Sequence, residues 1–83
     1  MHLEQKIKHY ILENYLFTDD ATALASGDSL LERGIIDSTG VLEIIAFLEE
    51  EFGVVVEDEE MVPENLDSVD NLVAFVERKR AAA

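Results

Sequence analysis

The stretch Asp37-Ser38-Thr39-Gly40 puts one serine where the irregular segment Gly34-Ile35-Ile36 ends and a strongly periodic helical run begins at Val41. A serine there has two uses. As an N-cap, its oxygen accepts a hydrogen bond from a free amide of the first turn. As an attachment point, it carries a group esterified through phosphate. Such a group would lie against unpaired amides and the positive end of the helix dipole, both of which favour negative charge.

Other chemistries are poorly supported. A nucleophilic serine needs a base in reach, and the only imidazoles, His2 and His9, belong to the first helix, so no catalytic residue is assigned. The two histidines are about 10 Å apart along that helix, too far to share a metal ion easily, and both are expected to face solvent. Counting a calcium loop from Asp58 places Val62 and Pro63 where a ligand and a glycine belong, and no metal site is assigned. Gly27, Gly34, Gly40 and Gly53 are scattered rather than gathered into a phosphate loop. Without cysteine, disulfides and thiolate ligands are excluded. Carboxylates abound, yet a small helical chain builds no obvious cleft for them. An enzyme is the weakest class.

The elements that must position Ser38 follow from the apolar spacing. The 83 residues make one domain, 1–83, with 48% hydrophobic residues, enough for a packed core. Leu3, Ile7, Tyr10 and Ile11 predict a first helix from Leu3 to about Phe17. The long segment from Thr18 to Asp37 must be pinned, and Leu24, Leu30, Leu31, Ile35 and Ile36 are spaced to insert into the core. Gly27 and Gly34 permit turns in it, and Asp28 or Ser29 can cap a short helical turn. The second helix, Ser38 to about Phe52, carries its core stripe on Val41, Ile44, Ile45, Leu48 and Phe52. Its opposite face holds Thr39, Glu43, Ala46 and Glu50, flanked by Leu42 and Phe47. Gly53 stops it, Val54-Val55-Val56 reads as a buried connector, and a short third helix falls within 59–66 around Pro63. Ser68 caps the last helix, with Val69, Leu72, Val73 and Val76 facing inward, and 81–83 is expected to be a disordered tail. The fold class is all-α: a small four-helix bundle of three longer helices and one short third helix, with a long first loop.

Charge narrows the partners. The net charge is −13, and from Gly34 through Glu77 there are 13 acidic residues and no Lys or Arg. Such a field repels nucleic-acid phosphate and anionic lipid, and it steers basic protein surfaces toward the chain. No apolar run approaches the about 20 residues of a membrane span, and Met1-His2-Leu3-Glu4-Gln5-Lys6 lacks a signal peptide's apolar stretch. The expected compartment is the cytoplasm, and the expected state a monomer.

With Asp37-Ser38 opening an amphipathic helix that ends Leu48-Glu49-Glu50-Glu51-Phe52-Gly53, the chain resembles the acyl carrier protein family over nearly its whole length. The resemblance implies that Ser38 carries 4′-phosphopantetheine, transferred from coenzyme A by a phosphopantetheinyl transferase that recognises Asp37. It implies a carrier of an acyl or aminoacyl group as a thioester, in fatty acid, polyketide or aminoacyl biosynthesis, serving a loading enzyme and downstream acyl-transfer enzymes with basic docking patches. The family's docking helix maps onto Thr39, Leu42, Glu43, Ala46, Glu49 and Glu50, beside the flanking Phe47 already noted. Where the family usually has leucine after the serine, this chain has Thr39. The competing reading is an acidic, non-catalytic interaction module that binds a basic protein surface through the same face, with Ser38 serving only as a cap.

Overall fold

Leu3, Ile7 and Ile11 recur every four residues, and in the computed structural model, which describes residues 2–82, they form the buried stripe of α1 (His2–Ile11). The helix continues as one π-helical turn, Leu12–Leu16, and stops at Phe17, whose φ of 55° is left-handed and whose N–H donates to the Leu12 carbonyl. Helical structure therefore reaches the predicted end near Phe17 by a wider turn than the apolar spacing implies. His9 is exposed, 3.2 Å from Glu13 one turn on. The His2 side chain and Ala83 lie outside the described residues. Among the described residues, no three His, Asp or Glu side chains are grouped to hold a metal ion, and no helix is long and apolar enough to cross a membrane.

The segment from Thr18 to Asp37 has structure of its own: a 3-10 turn at Ala21–Ala23, capped by Asp20, and a further turn over 30–34. Ser29 caps the second turn, its Oγ accepting from the Glu32 N–H. Leu24, Leu30 and Ile36 are buried as expected and Ile35 is half-buried, but Leu31 is 40% exposed. Neighbouring side chains in a turn diverge by roughly 100°, so Leu30 and Leu31 cannot both enter the core. Of the two glycines expected at turns, Gly34 adopts φ +70° and Gly27 has an ordinary φ.

Helix α2 (Ser38–Phe52) has the predicted bounds. Ile44, Ile45 and Leu48 are buried, with Val41 and Phe52 at the stripe's edges. It ends at Gly53, which takes φ 70° and donates its N–H to the Glu49 carbonyl. In the connector, burial alternates: Val54 and Val56 are buried while Val55 is 64% exposed, so two of the three valines anchor it. A 3-10 turn (Asp58–Glu60) and α3 (Pro63–Leu66), with Pro63 in its first turn, make up the short third helix expected within 59–66.

Helix α4 (Val69–Ala82) starts at Ser68, whose Oγ accepts from the Asn71 N–H at 3.1 Å. Val69, Leu72 and Val76 are fully buried, and Phe75, absent from the predicted stripe, is 1% exposed while Val73 stays at the edge. The inward face is thus turned slightly from the 69, 72, 73, 76 set, making room for the largest side chain. Of the expected tail 81–83, Ala81 and Ala82 are the last residues of α4, which continues through good helix formers. The basic end of α4 folds back on the third-helix region. Lys79 Nζ donates to Glu60 Oε1 at 2.9 Å, holding the Glu60 carboxyl below its ordinary value, and Arg78 donates to Asn65 Oδ1. Both α1 and α3 pack on α4.

The net charge of −13 is spread over a body 33 × 27 × 20 Å, so many carboxylates lie within a screening length of about 10 Å at 0.1 M salt. Self-repulsion then opposes folding. The melting temperature is expected to rise with added NaCl and more steeply with added Mg²⁺; a calorimetric scan indifferent to both would contradict this.

Candidate functional site

Ser38 is positioned by a loop that is fastened at several points to the start of α4. The Leu30 N–H donates to the Asp67 carbonyl at 2.7 Å, the Leu31 N–H to Asp67 Oδ1 at 2.9 Å, and Ser29 Oγ to Asp67 Oδ2. Further back, the Asp70 N–H donates to the Ser26 carbonyl. The chain then turns at Gly34, with the Ile35 N–H donating to the Leu30 carbonyl, and buries Ile36 immediately before the helix. The last loop residue is Asp37.

Asp37, rather than Ser38, is the N-cap. Its backbone is extended (φ −121°, ψ −166°) and its Oδ1 accepts from the Gly40 N–H at 2.9 Å. Ser38 is one residue further on, already helical, exposed, and in no side-chain hydrogen bond among the described residues. The expectation of Ser38 as a cap is therefore corrected, and the module reading that gave Ser38 only this task loses its account of the residue. Asp37→Ala is expected to lower stability by about 1 kcal/mol in urea unfolding through the lost cap. Gly40 has a separate reason to be glycine: a Cβ there would lie 3.0 Å from Ile36 Cβ, so a larger residue would push the loop off the helix.

Two depressions flank Ser38. One, about 290 Å³, is apolar and includes Leu31, Val41, Leu42, Met61, Val62 and Leu66 with Ser38 itself. Leu31, Leu42 and Val62 are also among the large apolar side chains most exposed to solvent (40%, 59% and 36%). Their grouping around one groove makes a patch rather than a scatter of surface apolar residues. The other depression, about 420 Å³, is more polar and is lined by Tyr15, Ile35, Asp37, Thr39 and Glu43.

The expected docking residues fall into three groups. Thr39, Leu42, Ala46 and Glu50 are exposed on α2. Glu43 and Glu49 are exposed but engaged: Tyr15 Oη donates to Glu43 Oε1 at 2.5 Å, and the Val56 N–H donates to Glu49 Oε2 at 3.0 Å. Phe47 is half-buried, its ring stacked on Tyr10 at 4.0 Å and 15° and edge-on to Phe52 at 5.8 Å, so it faces neighbouring rings more than solvent. Sequence reasoning missed Tyr15, Met61, Val62 and Asp67. No local signal marks the first three, but the pairing of Asp67 with the Ser68 cap could have flagged the loop–helix junction.

No protein-family model matches the chain. Over 79 residues, covering 95% of this chain and 90% of the relative, it is 32% identical to a protein of Serratia sp. (strain ATCC 39006) described as "Probable acyl carrier protein PigG". With that identity across nearly the whole of both chains, the small all-helical bundle belongs to the acyl carrier protein family.

Proposed function

We propose that Ser38 Oγ carries 4′-phosphopantetheine, and that the chain holds an acyl or aminoacyl group as a thioester on that arm and passes it between partner enzymes. As an acyl carrier protein the chain is not an enzyme, and the chemistry is done by its partners. The observation that supports Ser38 most directly is its exposed hydroxyl in the first turn of a 15-residue helix whose capping is already performed by Asp37. A phosphodiester at that oxygen suits the positive end of α2, and free amides of the first turn can donate to it. When bound, the arm supplies a terminal thiol for the cargo.

The residues present fit such an arm. Gly40 lets the loop approach the helix closely, Asp37 fixes the first turn, and the apolar groove beside Ser38 offers cover for the lower part of the arm or for a small apolar cargo. Asp37 also stands where a phosphopantetheinyl transferase would read it. Docking falls to Thr39, Leu42, Glu43, Ala46, Glu49 and Glu50, with Phe47 supporting the surface from beneath. Acidic residues there favour fast, salt-sensitive and brief association with the basic patches of a transferase, a loading enzyme and acyl-transfer enzymes. The strong negative charge opposes self-association, so the carrier would act as a monomer, and we place it in the cytoplasm, where coenzyme A is used.

The test is incubation with coenzyme A and a broad-specificity phosphopantetheinyl transferase, read by intact mass. One phosphopantetheinyl increment is expected. No gain, or the same gain in Ser38→Ala, would sink the proposal.

A further inference from the structure

Glu43 stands on the outward face of α2, yet its carboxylate is not a free rotor. Tyr15 Oη donates to Glu43 Oε1 at 2.5 Å, and Tyr10 Oη lies 3.5 Å from the Glu43 carbonyl oxygen. The tyrosines are held in turn by aromatic packing. Tyr10 stacks on Phe47 at 4.0 Å and meets Tyr15 edge-to-face at 6.1 Å, while Phe47 meets Phe52 at 5.8 Å. Four rings thus join the π-helical turn of α1 to α2 and deliver a phenol to one carboxylate. Burial, and after it the hydrogen bond to Glu43, push the Tyr15 phenol up, so it stays a neutral donor across the physiological range.

We propose that Tyr15 is a positioning residue for partner docking: it holds the Glu43 carboxylate in one orientation, so that the enzyme acting on Ser38 reads α1 and α2 together. The inference rests on the reading of Ser38 as the attachment residue. Tyr15 and Glu43 line the same depression as Asp37 and Thr39, the residues on either side of Ser38, so an enzyme that closes over Ser38 also covers this pair. A glutamate on an open helix face must give up rotamer freedom when a partner's cation engages it. Tyr15 removes most of that cost before the encounter. It occupies one lone pair of Oε1 and leaves Oε2 to accept from a lysine or arginine of the partner. Glu50, exposed on the same helix, has no comparable partner among the described residues and depends on the encounter to be ordered.

The experiment compares transferase kinetics on the wild-type chain, Tyr15→Phe, Glu43→Gln and the double variant, with coenzyme A saturating. Phenylalanine keeps the ring and its packing and removes only the hydroxyl. Tyr15→Phe is expected to raise KM for the carrier on the order of fivefold with kcat unchanged, and Glu43→Gln to raise it at least as much. The double variant should be no worse than Glu43→Gln alone, because Tyr15 acts through that carboxylate. A purely structural tyrosine would lower the melting temperature of both Tyr15 variants without making its kinetic effect depend on Glu43. The inference is overturned if Tyr15→Phe leaves KM within about twofold of wild type, or if the two KM effects multiply in the double variant. Absence of any phosphopantetheinyl mass on the wild-type chain would instead overturn the reading of Ser38, and this inference with it.

Discussion

Ser38→Ala is expected to abolish the coenzyme A-dependent mass gain completely while leaving unfolding in urea within about 0.5 kcal/mol of wild type. The two halves of that result have separate causes. The mass gain needs an oxygen at this position, and no hydroxyl next to it substitutes, because Thr39 is a helical residue further along and its side chain leaves the helix about 100° away. Stability is spared because the Gly40 amide is satisfied by Asp37, and among the described residues the exposed Ser38 hydroxyl makes no bond whose loss would be felt. Had Ser38 been the cap, the alanine variant would be expected to lose about 1 kcal/mol and Asp37→Ala much less. Measuring both variants by intact mass and by urea titration therefore separates cap from attachment. A marked loss of stability in Ser38→Ala, matched by none in Asp37→Ala, would reverse the assignment of the cap.

Asp67→Ala is expected to have the largest effect on the fold of the loop, costing about 2–3 kcal/mol. Its half-buried carboxylate accepts from the Leu31 N–H and from Ser29 Oγ, and Ser29 in turn accepts from the Glu32 N–H, so one side chain organises the whole turn over 29–34. Removing it strands two donors beside a core that is already closed by Leu30 and Leu66. For a domain of this size the loss is a large part of a total of about 4–12 kcal/mol. Asp67→Asn should recover much of it, since the amide oxygen can still accept from Leu31 and the amide nitrogen can donate to Ser29. The expected readouts are a lower urea midpoint at unchanged m-value and faster hydrogen exchange at the Leu31 amide. The Leu30 amide, held by the Asp67 backbone carbonyl, should be affected less. Equal protection of Leu31 in the alanine variant would show that the side chain does not hold the turn.

The same junction explains which parts of the site were legible. Helix α2 was read to its last residue because its apolar stripe, its glycine stop and its start after Asp37 all depend on residues close in the chain. The other two long helices and the short third helix were legible for the same reason. Leu31 was misjudged because a turn's handedness, not its hydrophobicity, decides which of two adjacent leucines faces in. Helical angle places Phe47 on a flank of the outer face, where it is half-buried, but its stacking partner, Tyr10 of α1, is not legible from that angle. Phe75 escaped notice because it falls between the residues of the predicted stripe, yet it is the largest fully buried side chain.

By itself, the sequence determined that a lone serine opens an acidic amphipathic helix in an all-helical chain, since periodicity, capping chemistry and charge are local properties. Tertiary structure alone decided three things. Asp37 rather than Ser38 closes the first turn, because backbone dihedrals at the loop's end choose between two competent neighbours. An apolar groove forms at Ser38, because Leu31, Leu42 and Val62 come from three separate segments. And Glu43 is held by Tyr15, 28 residues away in the chain, because α1 and α2 lie side by side. Contacts between distant residues are set by how helices pack, and no local pattern records them.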